Sequence, residues 1–141
     1  KGGGDIQQHM VSLIYGENLK SSESSQFQIV ESESQINLAI SATENSDKLL
    51  VIKFYADWCV SCNKLERVVF SDSDVVQALR STLALTADVT DNNQVNQKLL
   101  ARFNLVGPPA ILFFKDGKEQ RSHRIIGEIS ATGFMKHVNS L

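Results

Sequence analysis

The sequence predicts an α/β domain in which a central mixed sheet of four or five strands has helices on both faces. Strand-sized apolar segments alternate with segments whose apolar residues recur at helical spacing, in the order β-α-β-α-β-α-β-β-α. This alternation favours parallel strand pairing, whereas the closing hairpin has to be antiparallel. A chain of 141 residues can bury one sizeable core, so we expect one domain.

The strands are predicted from apolar runs and turn signals. Residues 49–55 form a near-continuous apolar run rich in β-branched and aromatic residues, which is typical of a strand covered on both faces. Further strands are predicted at 27–29, 83–89 and 110–114. Asp116-Gly117 is a strong hairpin signal and predicts a last strand at 123–126.

The helices are predicted from capping residues and from apolar residues at helical spacing. The expected N-caps are Ser32 or Ser34, Asp72 or Ser73, Asp91 or Asn92, and Ser130. The residues expected to face the core are Ile36, Ala39, Ile40, Leu65, Val68, Val69, Val95, Leu99, Leu100, Phe103, Phe134, Val138 and Leu141. The helix that carries Leu65 is expected to break near residues 71–74 before it is recapped.

Charge and hydropathy bear on which partners the chain can have and on where its folded domain lies. The net charge of −2 gives no electrostatic reason to expect nucleic acid or an anionic membrane. No apolar run approaches the roughly 20 residues that span a bilayer. Residues 1–25 are polar except for an apolar patch at 10–15, so we expect a flexible leader or an expression remnant, unless the patch packs on the domain. We therefore expect a mature fragment or an excised domain, with the fold in residues 26–141.

The most informative motif is Trp58-Cys59-Val60-Ser61-Cys62, placed where the central strand ends and a helix begins. Two cysteines at i and i+3 of a helical turn lie on one face and can form a disulfide. Free backbone N–H groups and the helix macrodipole favour thiolate at the first cysteine. The motif therefore predicts Cys59 as the attacking nucleophile and the deeper Cys62 as the resolving cysteine, with Trp58 as an apolar wall beside the sulfur.

Two other uses of the cysteine spacing have less support. A structural zinc ion needs two further ligands, and the three histidines, His9, His123 and His137, are scattered. An inert disulfide within one helical turn closes too short a loop to constrain the unfolded chain much. We expect redox exchange by the cysteine pair, with no bound metal or other cofactor.

The motif and its surroundings resemble a known family. The segment 54–62, FYADWCVSC, looks like the active-site segment of thioredoxin-like proteins. The chain resembles most the C-terminal periplasmic domain of the DsbD family of bacterial thiol:disulfide interchange proteins, in order from Phe27 to Leu141. The resemblance also includes Glu66, residues 70–72, the strand 85–89 and residues 105–114. Val-Ser stands between the cysteines, where common cytosolic thioredoxins have Gly-Pro.

The resemblance implies a thioredoxin fold and a role as an electron relay. Such a domain receives electrons from the transmembrane domain of the same protein, and ultimately from cytoplasmic thioredoxin. It passes them to an N-terminal periplasmic domain for disulfide isomerisation and cytochrome c maturation. The implied location is the bacterial periplasm, as part of an inner-membrane protein, and we expect the isolated domain to be monomeric.

The resemblance also assigns roles to the adjacent prolines. It implies that Pro109 is a cis-proline that faces the cysteines, with Pro108 in place of the usual bulky residue. The simpler interpretation is a stiff start to the following strand. Trp58, Pro108 and Ala110 are the residues expected to contact a partner protein.

Three charged residues, one lysine and two acids, remain as candidates for tuning the cysteines. Glu66 follows Cys62 by one helical turn and is either exposed or a proton-transfer group near the thiols. Lys53 occupies the position of the family's buried aspartate, six residues before Cys59. It either pairs with Glu66, which would favour thiolate, or reaches solvent at the rim of the sheet. Asp57 either caps the helix or is simply exposed.

Two alternative functions remain open from the sequence. One is a free-standing thioredoxin-like reductase or haem-maturation thioredoxin. The other is a binding module that uses the fold without its thiols.

Overall fold

The computed structural model describes residues 26–141. The expected leader at 1–25, with its apolar patch, lies outside the described residues. The strands are β1 (Gln28–Val30), β2 (Leu49–Tyr55), β3 (Leu83–Asp88), β4 (Ala110–Lys115), β5 (Lys118–Glu119) and β6 (Ile125–Ile126). The helices are α1 (Glu33–Thr43), α2 (Val60–Val68), α3 (Ser73–Leu79), α4 (Gln94–Arg102) and α5 (Ala131–Asn139), with a 3-10 turn at Arg121–His123.

The strands form one mixed sheet, as predicted. Its order is β1-β3-β2-β4-β5, and β6 pairs with β4 as well. The described sheet therefore has six strands, two of them only two residues long, where four or five were expected. Strand β2 lies at the centre because it pairs with β3 on one side and β4 on the other.

One pairing differs from the prediction of parallel neighbours. Strands β1, β3 and β2 are parallel, but β4 runs antiparallel to β2. Tyr55 pairs with Asp88 and Phe54 pairs with Ala110, so β3 ends and β4 begins at the same edge of the sheet. The connection through α4 crosses β2 but leaves the chain at the end of the sheet where β3 finished, so β4 runs back antiparallel to β2. The alternation of strands and helices in the sequence does not distinguish this connection from one that returns to the other end and gives a parallel strand.

Helices cover both faces, because successive side chains of each central strand point to opposite sides. On one face α1 and α4 pack against β2, β3 and β4. On the other face α3, α5 and the inner side of α2 do so. The alternation is clearest in β4, where Leu112 and Phe114 belong to the first layer and Ile111 and Phe113 to the second.

The helix caps largely follow the sequence signals. Ser32, Asp72 and Ser130 are N-caps, as predicted. The prediction of Asp91 or Asn92 for α4 is wrong, because the cap is Asn93. Asn92 adopts a left-handed conformation with φ 49°, which extends the preceding turn and delays the helix.

Two valines predicted on apolar faces are half-exposed. Val68 of α2 and Val95 of α4 point to solvent. In α4 the buried position goes to Asn96, which completes a capping box with Asn93 and also donates to the Asp88 carbonyl. A buried amide is acceptable here because its hydrogen bonds are formed within the cap.

The closing hairpin was predicted correctly at its turn but not at its second strand. Asp116 and Gly117 both have positive φ, at 53° and 79°, which suits a tight two-residue hairpin between β4 and β5. The predicted strand at 123–126 is reduced to Ile125–Ile126, because residues 121–123 form a 3-10 turn. That turn brings β6 back beside the start of β4.

The packing of the helical layer that contains α3 and α5 depends on Phe134 of α5. This side chain is fully buried, with ring centroids 5.6 Å from Phe70 and 6.2 Å from Phe113. Phe134→Ala is expected to lower the free energy of unfolding by about 3–5 kcal/mol, because it leaves a cavity in this layer. Urea unfolding of the oxidised protein measures the loss. Val95→Ala is the control and should change stability by less than about 0.5 kcal/mol; equal losses would contradict the packing described.

Candidate active site

The cysteine pair lies where β2 passes into α2. Cys59 is the N-cap residue of α2 and forms a disulfide with Cys62, with a Cα–Cα distance of 5.2 Å. The Cys62 backbone N–H donates to the Cys59 sulfur over 3.1 Å. Both residues are buried, at 7% and 3% exposure. A sulfur that accepts a backbone N–H at a helix N-terminus is in a setting that stabilises a thiolate.

The segment before the cysteines is fixed by the loop after β3. The Trp58 indole N–H donates to the Thr90 carbonyl over 2.9 Å, and the Asp57 N–H donates to the Thr90 hydroxyl over 2.9 Å. Trp58 is nonetheless 58% exposed, so its ring presents an apolar surface beside the cysteine turn.

Asp57 does not cap α2. Its carboxylate accepts from the Tyr55 hydroxyl over 3.0 Å, and its carbonyl accepts from the Asn63 amide over 3.0 Å. Burial, followed by the hydrogen bond to Asp57, raises the pKa of Tyr55 to about 12. The phenol therefore stays protonated at neutral pH and serves as a fixed donor.

The loop before β4 contains a cis peptide bond between Pro108 and Pro109. The Pro109 carbonyl accepts from the Gly127 N–H over 3.2 Å, which ties this loop to the segment after β6. Both prolines are partly exposed. Ala110 is fully buried between Phe54 and Ile126 in the sheet, so its side chain is not accessible to a partner in this state.

Lys53 is buried within β2 and forms an ion pair with Glu66 of α2. Its ammonium also lies 3.9 Å from the centroid of the Phe27 ring and 4.2 Å from that of Phe70. Burial lowers the pKa of Lys53, while the charge and hydrogen bond of Glu66 oppose that shift. Of the two positions considered from the sequence, Lys53 takes the one that pairs with Glu66.

The ion pair and Cys62 adjoin the same small cavity. Its volume is about 10 Å³, and its lining includes Lys53, Glu66, Cys62 and Pro109. A cavity of this volume is about large enough to hold one water molecule. The charged pair is therefore near the resolving cysteine.

Three residues that sequence reasoning did not select join the site. The Ser61 hydroxyl donates to Glu128 over 2.7 Å, and Lys64 pairs with the other oxygen of the same carboxylate over 3.1 Å. The position of Ser61 between the cysteines was a signal that could have been used. Nothing in the local sequence marks Glu128, which is 67 residues away from Ser61 in the chain.

Within residues 26–141, no group of three or more His, Cys, Asp and Glu side chains is placed to hold a metal ion. The helices of that same part of the chain are too short or too polar for any of them to cross a bilayer.

Residues 31–116 match the thioredoxin-like family. The chain belongs to this family. Its curated relatives include the thiol:disulfide interchange protein DsbD of Pseudomonas fluorescens, 34% identical over 138 residues that cover 96% of this chain and 24% of the relative. DsbD of Ralstonia nicotianae is 40% identical over 109 residues, which cover 77% and 18%. The chain thus spans about a quarter or less of the length of these relatives.

Solved structures of the thioredoxin-like family show the same fold. The oxidised C-terminal domain of DsbD from Neisseria meningitidis has a TM-score of 0.67 and 27% identity, covering 79% of this chain and 97% of that domain. Thioredoxin NaTrxh from Nicotiana alata has a TM-score of 0.65 and 22% identity, covering 86% and 96%. At this identity, the second likeness shows the fold alone.

Glu66→Gln tests the ion pair through its pH dependence. The amide removes both effects that raise the pKa of Lys53, so this pKa falls further and a buried ammonium is left without its anion. We expect the free energy of unfolding to drop by about 3 kcal/mol at pH 7. The loss should shrink as the pH rises from the pKa of Lys53 in the variant to its higher, though still lowered, pKa in the native protein, because in that window only the folded variant has released the proton that the unfolded chain keeps.

The measurement is urea unfolding of the oxidised protein between pH 7 and pH 10. Glu33→Gln, which removes the exposed partner of Arg102, is the control and should cost less than about 1 kcal/mol without this pH trend. Parallel pH profiles for the native protein and the Glu66 variant would show that Lys53 does not depend on Glu66.

Proposed function

We propose that this chain is a thiol–disulfide oxidoreductase domain that exchanges disulfides through Cys59 and Cys62. The observation that carries the proposal is the Cys59–Cys62 disulfide at the N-terminus of α2, in a chain that covers nearly all of a DsbD C-terminal domain. The exposed Trp58 and the partly exposed cis-proline loop supply the surface on which a partner chain would lie.

The exchange proceeds in two displacement steps. In the reduced domain, the Cys59 thiolate attacks one sulfur of the partner disulfide, which forms a mixed disulfide and releases the other partner sulfur as a thiolate. Cys62 then loses its proton and attacks the Cys59 sulfur, which restores the Cys59–Cys62 disulfide and releases the partner. Two electrons pass to the partner in total, the Cys62 proton leaves to an acceptor, and the two partner thiolates take up their protons from solvent.

The proton steps are assigned to the groups around the small cavity beside Cys62. Glu66 is the proposed proton acceptor for Cys62, since both residues line the same cavity. Lys53 compensates the carboxylate charge and so limits how strongly Glu66 opposes thiolate formation. Trp58 and Pro108 are the proposed partner contacts, and Pro109 fixes the loop that faces the cysteines.

We propose further that the domain is a relay in the bacterial periplasm. It would take electrons from the transmembrane domain of an inner-membrane protein, supplied by cytoplasmic thioredoxin, and pass them to an N-terminal periplasmic domain. Disulfide isomerisation and cytochrome c maturation are the proposed uses of those electrons. The support is the likeness to DsbD relatives of which this chain matches one terminal part.

Trapping tests the division of roles between the cysteines. Cys62→Ser is expected to accumulate a mixed disulfide through Cys59 with the oxidised N-terminal periplasmic domain of a DsbD relative, because resolution is blocked. Non-reducing electrophoresis detects the adduct, and dithiothreitol should release it. Cys59→Ser is expected to abolish disulfide reduction and to trap nothing.

The outcomes separate the candidate functions. A native protein that reduces insulin but neither reduces nor traps the DsbD domain would favour a free-standing reductase over the relay. Unchanged function of the Cys59 variant, measured as partner binding without reduction, would favour a binding module instead.

Lys53→Met tests the tuning of the thiols. Loss of the ammonium leaves the Glu66 charge uncompensated, which disfavours the thiolate and should slow disulfide reduction at pH 7 about three- to tenfold. In Lys53→Met/Glu66→Gln, the attack by Cys59 should recover most of its rate, whereas resolution by Cys62 should stay slow because its proposed proton acceptor is absent. Stopped-flow reduction of a disulfide substrate at several pH values gives the comparison, with the exposed Lys98→Met as control. An unchanged pH profile in Lys53→Met would contradict the proposed tuning.

A further inference from the structure

The segment between β6 and α5 connects the two parts of the active site. Glu128 accepts a hydrogen bond from Ser61 over 2.7 Å and pairs with Lys64 over 3.1 Å, one helical turn further along α2. Its neighbour Gly127 donates to the Pro109 carbonyl. Residues 127 and 128 therefore hold the cysteine turn and the cis-proline loop relative to each other.

The same carboxylate places a charge at the first turn of α2. The hydrogen bond from Ser61, followed by the contacts with Lys64, lowers the pKa of Glu128, so the group is ionised at neutral pH. A negative charge at this end of a helix opposes the formation of a second one on Cys59. The Lys64 ammonium reduces that opposition because it contacts the same carboxylate.

We propose that Glu128 is a positioning residue that holds the first turn of α2 through Ser61 and that its negative charge lowers the reactivity of Cys59. Lys64, which contacts the same carboxylate, determines how large this effect of the charge is. The inference rests on the proposed dithiol function. It assigns to the β6–α5 segment a part in setting how strongly the domain reduces its partner.

Other charged groups surround the same turn from different elements. Asp57 lies in the segment before α2, bonded to Tyr55, and the Lys53–Glu66 pair lies between β2 and the inner side of α2. The substitutions below leave these groups unchanged, so differences among the variants report on the Glu128 contacts.

The experiment measures Cys59 alkylation by iodoacetamide against pH, in a reduced Cys62→Ser background. Glu128→Gln should shift the profile to lower pH and speed alkylation at pH 6 about threefold, because the amide keeps an acceptor for Ser61 but removes the charge. Lys64→Gln should slow alkylation by a similar factor, and the double variant should lie near the parent. Raising the salt concentration to 1 M should shrink both shifts.

Glu44→Gln is the control, since Glu44 lies beside the hairpin glycine at the opposite end of the sheet. With both cysteines present, Glu128→Gln should also shift the glutathione redox equilibrium toward the reduced domain. The proposal is overturned if Glu128→Gln matches Glu44→Gln, or if the Glu128 and Lys64 variants shift the profile in the same direction. Failure of the native pair to equilibrate with glutathione would instead overturn the dithiol function itself.

Discussion

The site depends on one constraint, which is that β2 is paired on both edges and covered on both faces. Its neighbours β3 and β4 fix its register, and the two helical layers bury nearly every side chain along it. The end of this strand is therefore held firmly, and Cys59 follows it by four residues as the cap of α2. A nucleophile mounted in this way starts from a rigid strand, and the hydrogen bonds to Thr90 hold the segment that leads to it.

The same constraint makes Lys53 costly to accommodate. A lysine in a strand with no solvent-facing side must bring its ammonium to an anion or lose its charge. Here Glu66 supplies the anion, and the rings of Phe27 and Phe70 lie against the cation. The result is a compact charged group near Cys62 that connects β2, α2 and the rings of Phe27 and Phe70.

Local signals predicted most of the fold, and tertiary contacts account for the rest. The buried run of β2, the Asp116-Gly117 turn and the Ser32 and Ser130 caps follow from residue type and spacing. The antiparallel direction of β4 does not, because it depends on where the α4 connection returns the chain. For a similar reason Asn96 is buried and Val95 is half-exposed: the capping box of α4, and not hydrophobic periodicity, determines which of the two faces the core.

The candidate site shows the same division. Cys59 and Cys62 could be inferred from their spacing at one strand–helix junction, whereas the pairing of Lys53 with Glu66 was one of two positions that the sequence left open. Glu128 could not, because its contact with Ser61 joins segments that are remote in sequence. Contacts of this kind are specified by the packing of whole elements and leave no local pattern.

Strand β4 runs from the end of the sheet that carries the cysteines to the end that carries the hairpin. The cysteine turn and the prolines meet at one end, while the Asp116-Gly117 hairpin and the end of α1 lie at the other, where the Asn45 N–H bonds the Asp116 carboxylate. Insertions or length changes in that remote hairpin would leave the geometry of the thiols intact. One end of the molecule is thus constrained by its chemistry, while the other can accept changes in loop length.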